Sequence, residues 1–138
     1  MHQKLAIFCM LLLFCSCKSI QITPQNHKGS QIVAGSSGGV SGMLKEYVLL
    51  DNGYLFLSKG LSGEWKDVRK LRASQSREIF NKAAELGLDT IKFRHPGNLT
   101  YYLKIKHPPK SNEIIWGESG ISPPENIKLF YQYLISIF

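Results

Sequence analysis

The sequence predicts a single small α+β domain, in which two helices pack on one face of a small antiparallel β-meander sheet. Two apolar segments separated by Asn-Gly predict a hairpin, and two later segments have apolar residues at helical spacing. The stretch 31–138 is long enough for one domain and too short for two. All three cysteines precede it, so its stability must come from an apolar core rather than from disulfides.

Residues 1–16 have the pattern of a secretion leader. Lys4 supplies a positive charge, and an apolar run extends from Leu5 to Cys15. A membrane-spanning helix needs about 20 apolar residues, and this run is too short. Among the cysteines only Cys17 follows a small residue, Ser16. The segment resembles a bacterial lipoprotein signal, which implies that Cys17 becomes the fatty-acylated N-terminus. An ordinary secretory leader without lipid is the alternative.

The segment 17–30 predicts a flexible tether, because it is polar, contains proline and glycine and has no sustained period. Several acyl chains on one cysteine would anchor the protein stably. Lys18 and Ser19 follow that cysteine, with no aspartate at the second position. In Gram-negative lipoproteins this implies forwarding to the outer membrane. We therefore expect a lipid-anchored protein of the cell envelope.

The mature chain is basic. Cleavage before Cys17 removes Lys4, leaving sixteen basic and ten acidic residues and a formal charge of +6. The basic residues are dispersed from Lys28 to Lys128 without the run typical of nucleic-acid binding, so no nucleic-acid partner is expected. The charge suits an acidic partner or an anionic membrane surface.

The domain begins with a short strand at Gln31 that runs into a glycine-rich loop. The loop lacks the Gly-Lys-Ser/Thr of a phosphate-binding loop, and the strand-like segment after it excludes a dinucleotide fingerprint. Two interpretations stay open: a wide turn between antiparallel strands, or a contact loop. The candidate binding residues are Gly38, Gly39, Val40, Ser41 and Gly42.

The next elements are a hairpin and a further strand. Lys45–Leu50 and Tyr54–Ser58 flank an Asn-Gly pair, which predicts a turn with both residues at positive φ. Residues 64–71, with Trp65 and Val68, predict the next strand.

A helix is predicted over 74–86, with Ser74 as N-cap and Gly87 ending it. Its core stripe comprises Ile79, Phe80, Ala83, Ala84 and Leu86. Alternation over 100–106 predicts a half-buried strand, with Tyr101, Leu103 and Ile105 inward, and residues 113–116 pair back with it.

The final helix is predicted to begin with a capping box, Ser122-Pro-Pro-Glu125. Its apolar face comprises Ile127, Phe130, Tyr131, Leu134, Ile137 and Phe138.

Residues that carry chemistry are few, so we expect a non-enzymatic domain without cofactor or metal. His27, His95 and His107 lack ligand spacing, and no Gly-x-Ser-x-Gly elbow occurs. The large aromatics are expected to pack in the core. A hydrolase or carbohydrate-acting enzyme is the open alternative, and it would draw a carboxylate pair from Asp51, Glu64, Glu113 or Glu118.

One further resemblance covers most of the mature domain. Its features, in order, are Ile32-Val before Gly38–Gly42, Tyr47-Val-Leu, Asn52-Gly, a helix near Glu78, Pro96-Gly-Asn, Tyr102-Leu and a closing helix after Pro124. This order resembles emfourin, an inhibitor family of thermolysin-like metalloproteases. The resemblance implies a protease-binding domain with the glycine loop as contact. A structural or envelope-assembly lipoprotein is the alternative.

Overall fold

The computed structural model describes residues 21–60 and 62–138. The predicted leader and Cys17 lie outside them. The strands are β1 (Gln31–Gly38), β2 (Lys45–Leu50), β3 (Tyr54–Lys59), β4 (Trp65–Lys70), β5 (Arg94–His95), β6 (Leu99–His107) and β7 (Lys110–Trp116). The helices are α1 (Ala73–Glu85), between β4 and β5, and α2 (Glu125–Ser136), after β7.

The described strands form one sheet in the order β4-β3-β2-β1-β6-β7-β5. Its first four strands are the predicted antiparallel meander, and β6 and β7 continue it on the other side of β1. Only the two-residue β5 runs parallel to its neighbour, β7. The predicted α+β class is confirmed, with a mixed rather than purely antiparallel sheet.

Both helices pack on one face of the sheet, as predicted. The core there joins Ile32, Leu49, Leu55, Leu103, Ile105 and Ile114 of the strands to Ile79, Ala83, Ile127, Phe130, Tyr131 and Leu134 of the helices. Each fully buried aliphatic side chain contributes about 1.5–3 kcal/mol by leaving water. The apolar core therefore stabilises a domain that has no disulfides.

The opposite face, which we call the helix-free face, is also substantially buried. It carries Val33, Val48, Leu50, Phe56, Tyr102 and Ile115. The alternation in β6 placed Tyr102 among outward residues, but Tyr102 is only 8% exposed. The reason is Gly35 on the paired strand: a Cβ there would lie 2.2 Å from Cζ of Tyr102. The missing side chain leaves room for the ring to lie flat over β1.

The predicted hairpin is confirmed, but its turn differs. β2 and β3 pair antiparallel, with Leu49 opposite Leu55. Gly53 has φ +91, as expected. Asn52 does not have positive φ, because no non-glycine residue among those described does, so the expected two-residue turn is not formed. The N–H of Gly53 donates to the carbonyl of Leu50 at 2.9 Å. The loop therefore has three residues and ends with glycine in the left-handed region, a common hairpin connection.

The first helix starts earlier than predicted. α1 begins at Ala73 with Arg72 as its N-cap, so Ser74 lies inside the first turn and does not cap it. Instead, the N–H of Arg72 donates to Oε1 of Gln75 at 3.2 Å. Gly87, at φ +65, follows the helix end as predicted. Ala84 is exposed and does not belong to the core stripe.

The second helix starts later than predicted. α2 begins at Glu125 after Pro124, and no side chain caps it, so the capping box is wrong. A residue followed by proline is disfavoured in the helical region, and both Ser122 and Pro123 precede one. The two prolines therefore hold the chain extended until Pro124. Ile127, Phe130, Tyr131 and Leu134 form the buried face of α2 as predicted, whereas Ile137 and Phe138 follow the helix end at Ser136 and pack half-buried against the core.

Candidate binding surface

β1 defines two ends of the sheet. It begins at Gln31 and ends at Gly38, so seven steps of about 3.3 Å separate the two residues by about 23 Å. We call the end near Gln31 the basal end and the end near Gly38 the distal end. The predicted contact loop is at the distal end. The chain before β1 joins the domain at the basal end.

The glycine loop is fixed at its base. The N–H of Gly39 donates to the carbonyl of Asn98 at 2.9 Å, and a Cβ on Gly38 would lie 2.2 Å from that oxygen. Gly38, Gly39 and Gly42 have φ of +93, +73 and +60, which other residues rarely adopt. Glycine is therefore required here for backbone conformation and for close approach to the neighbouring strand.

The loop presents a small apolar surface. Val40 is fully exposed, Met43 is 63% exposed and Leu99, at the start of β6, is 42% exposed. A Cβ on Gly39 would lie 3.9 Å from Cδ1 of Leu99, so this side chain is beside the loop. We call Val40, Met43 and Leu99 the apolar tip. Grouped exposed apolar side chains mark interaction sites, whereas single ones need no explanation.

The predicted loop residues thus have two different roles. Gly38, Gly39 and Gly42 set the backbone, and Val40 provides the exposed side chain. Ser41 is exposed beside it. Sequence reasoning missed Met43 and Leu99 as part of the surface. Met43 directly follows the loop, but Leu99 is brought there only by the pairing of Gly38 with Leu99 across β1 and β6.

A second exposed apolar pair lies on α2. Leu129 and Tyr133 are 56% and 49% exposed and are four residues apart, so they share one helix face. They line a groove of about 470 Å³ between the two helices, together with Lys82, Leu86, Asn126 and Phe130. This surface is on the helix side of the domain and is separate from the apolar tip.

The chain before β1 is bound to the basal end. Gln31 donates through Nε2 to the carbonyl of Pro24 at 2.8 Å. Asp51 accepts from Nε2 of His27 at 2.7 Å and from the N–H of Ser30 at 2.7 Å. Oγ of Ser30 is 2.8 Å from Nδ1 of His107. The described part of the predicted tether, residues 21–30, is therefore held against the domain.

Three of the four candidate acids of the enzymatic alternative contact basic side chains. Glu113 is 3.1 Å from Nζ of Lys104 and 3.3 Å from Nη1 of Arg94. Glu118 is 3.1 Å from Nδ1 of His95. Asp51 is occupied as described above, and Glu64 is exposed before β4. Within residues 21–60 and 62–138, no group of three His, Cys, Asp or Glu side chains is placed to hold a metal ion.

Two buried tyrosines near the centre of the sheet are held in the neutral form. Burial raises the pKa of Tyr131 to about 12, and its hydroxyl donates to the carbonyl of Gly35 at 3.2 Å. Burial, and then the hydrogen bond to Glu46, raises the pKa of Tyr102 far above its usual range. Trp116 stacks on Tyr101 and meets Tyr131 edge-on, so its predicted core packing is confirmed. The hydroxyl hydrogen bonds to Glu46 and to the carbonyl of Gly35 therefore hold these two tyrosine side chains in place.

No helix in the described part of the chain is long and apolar enough to cross a membrane. No protein-family model matches the sequence. No curated protein matches it either.

Proposed function

We propose that the mature chain is a membrane-anchored, non-enzymatic binding module that contacts a protein partner through the apolar tip. The observation that carries the proposal is a loop that is held at its base by the contacts of Gly38 and Gly39 with Asn98 and that exposes Val40 and Met43 at the distal end. A loop that is already ordered loses little conformational entropy on binding, so more of the contact energy is available for affinity.

The position of the tip supports the same proposal. If the lipid is on Cys17, the chain reaches the domain at the basal end, and the tip is at the other end of β1, up to about 23 Å farther from the membrane. A partner in the adjoining aqueous space would then meet the tip before any other part of β1. Lys45 and Lys59, which pair across β2 and β3, flank the loop and favour a partner with acidic groups near its contact site.

The apolar tip is smaller than a complete interface, which typically covers about 800 Å² of each partner. In such interfaces a few central side chains carry most of the binding energy. We assign that role to Val40 and Met43, with Leu99 beside them. The surrounding contacts would come from the lysines of β2 and β3 and from the loop backbone.

Photocrosslinking in cells tests the proposal. A photoreactive amino acid replaces Val40 in the full chain, and the matched control carries it at Leu129, an exposed apolar residue on α2. We expect a discrete protein adduct from position 40 that position 129 does not give. An adduct from position 129 alone would contradict the role of the tip, and an adduct with a structural outer-membrane protein would indicate an envelope-assembly function.

Inhibition of a secreted metalloprotease is the specific form of binding that the emfourin resemblance implies. The full chain is added to thermolysin, and peptide hydrolysis is measured over a range of chain concentrations. Val40→Asp should weaken inhibition at least tenfold, whereas Leu129→Asp should not. Equal hydrolysis rates with and without the chain would refute inhibition of this protease class.

A further inference from the structure

The free segment between Cys17 and the domain is much shorter than the predicted tether of residues 17–30. Residues 21–30 are held to the basal end, with the carbonyl of Gln21 accepting from Nδ2 of Asn26 and the carbonyl of Pro24 accepting from Gln31. Cys17 is four residues before Gln21. Four residues span at most about 14 Å in any conformation. If Cys17 is acylated, as the proposed function assumes, the basal end must stay within that distance of the membrane.

The basal end is rich in basic residues. Lys106 is the last residue but one of β6 and lies opposite Gln31, Lys110 begins β7 opposite His107, and Lys70 ends β4 opposite Tyr54. Lys28 and Arg72 are exposed in the segments next to these strand ends. Five strand spacings of about 4.8 Å separate β4 from β7, so these cations extend over about 24 Å.

Among the described side chains, none of these cations has an acidic partner, and the same holds for the distal lysines Lys45 and Lys59. Among the described side chains, the ion pairs of lysine and arginine are Lys82–Glu85, Lys128–Glu125 and the contacts of Glu113 with Arg94 and Lys104. None of these involves a cation of the basal end. The nearby Asp51 is already bound to His27 and Ser30, and Asp89 is an exposed acid in the shallow hollow beside His107 and Lys110.

We propose that the basal end binds the anionic surface of the membrane in which the lipid is inserted. The cations would extend from Lys28, Lys70 and Arg72 to Lys106 and Lys110. Electrostatic attraction acts over a Debye length of about 8 Å at physiological ionic strength. The short segment after Cys17 keeps the basal end close enough to the membrane for this attraction to act. Each basic side chain near an anionic surface strengthens binding about fivefold. The domain would then be upright, with the apolar tip directed away from the bilayer.

The test measures which end of the domain faces the bilayer. The lipid-modified full chain is reconstituted in phosphatidylcholine vesicles with or without phosphatidylglycerol. The predicted mature domain has no other cysteine, so a fluorophore can be placed selectively through Ser111→Cys at the basal end or Ser41→Cys at the distal end. Quenching by a nitroxide on lipid headgroups then reports proximity.

We expect phosphatidylglycerol to increase quenching several-fold at position 111 and to leave position 41 unchanged. Lys106→Gln with Lys110→Gln should remove most of that increase, since two lysines account for about 25-fold in binding. The control pair, Lys45→Gln with Lys59→Gln, lies at the distal end and should have no effect. Salt at 1 M, where the Debye length is about 3 Å, should abolish the increase.

The inference would be overturned by equal quenching at positions 111 and 41. It would also be overturned if quenching at position 111 were the same with and without phosphatidylglycerol. Flotation of the same samples separates this failure from a failure of the anchor. A chain that floats with neutral vesicles is anchored by its lipid, whatever the quenching result. A chain that does not float with them lacks the anchor, and its lysine-dependent flotation with anionic vesicles would still support the basal surface.

Discussion

The glycine in the middle of β1 provides the sharpest test of the fold. Gly35→Ala adds a Cβ that would lie 2.2 Å from Cζ and 2.3 Å from the hydroxyl oxygen of Tyr102. A strand in the centre of the sheet cannot move away, so the tyrosine ring must leave its place on the helix-free face. The substitution should therefore act almost entirely through Tyr102.

The expected cost follows from what that ring loses. Exposing a large buried side chain costs about 1.5–3 kcal/mol. Losing the 2.7 Å hydrogen bond to Oε1 of Glu46 adds about 1.5–3 kcal/mol. Alanine recovers about 0.5–1 kcal/mol because glycine loses more entropy in a strand. Gly35→Ala should therefore destabilise the domain by about 2–5.5 kcal/mol.

A double-mutant cycle by urea unfolding provides the control. In a Tyr102→Ala background the ring is absent, so adding Gly35→Ala should be neutral or slightly stabilising. The coupling between the two positions should then be at least about 2 kcal/mol. An equal cost in both backgrounds would show that Gly35 is required for its backbone conformation and would refute this reasoning, as would a single substitution costing less than about 1 kcal/mol.

Three further predictions concern the loop, the basal end and the core. Gly38→Ala should lower the free energy of unfolding in urea by about 2–4 kcal/mol, because the new side chain strains a left-handed backbone and clashes with the carbonyl of Asn98. Gly42→Ala adds only the left-handed strain, since the space around it is open, and should cost about 1–2 kcal/mol. Equal costs would contradict the conclusion that the base of the loop is held against Asn98. Asp51→Ala should speed hydrogen exchange in residues 21–30 at least tenfold, because two hydrogen bonds are lost, whereas exposed Asp89→Ala should not. Burial raises the pKa of Tyr131 from 10.0 to about 12, so the stability that this shift contributes is fully present below about pH 10 and falls by about 2 kcal/mol as the pH rises to 12. Tyr131→Phe should reduce that pH dependence, and an unchanged slope would contradict the assignment.

The pattern of apolar residues was sufficient to predict the α+β class and the packing of both helices on one face, but not the position of β6 beside β1 or the parallel strand β5. Alternation identified the inward face of β6, and helical spacing identified the buried face of α2, because both periods follow directly from backbone geometry. Tyr102 lies on the face that the alternation predicts, but its burial there was not predicted, since it depends on Gly35 in a strand far away in the sequence. Periodicity is read from one segment at a time. It therefore does not show that a glycine on a neighbouring strand leaves room for a tyrosine ring.

Local capping signals were less reliable than periodicity. Ser74 and Ser122 are both favourable N-cap residues, but neither caps its helix. In the first helix, Oε1 of Gln75 accepts from the backbone N–H of the N-cap residue, Arg72, and before the second helix two prolines keep the chain extended. Side-chain caps compete with several nearby arrangements of similar energy, so sequence alone did not select the right one.

The candidate surface could be predicted only in part. The density of glycine identified the loop at residues 38–42, because few sequences need so many positive φ angles. Leu99 joins the apolar tip through strand pairing, and the cations of the basal end come from segments as distant as residues 28 and 110. Surfaces built from distant segments have no local signature, so the fold was needed to assemble them.

The proposed direction of the apolar tip rests on the proposal that Cys17 is acylated, so the mass of the mature chain tests the account most directly. Protein purified from membranes is analysed by intact-mass and N-terminal peptide mass spectrometry. The account predicts a chain that begins at Cys17 and carries fatty acyl groups. A mature chain with an unmodified amino terminus, or one cleaved at another residue, would contradict it.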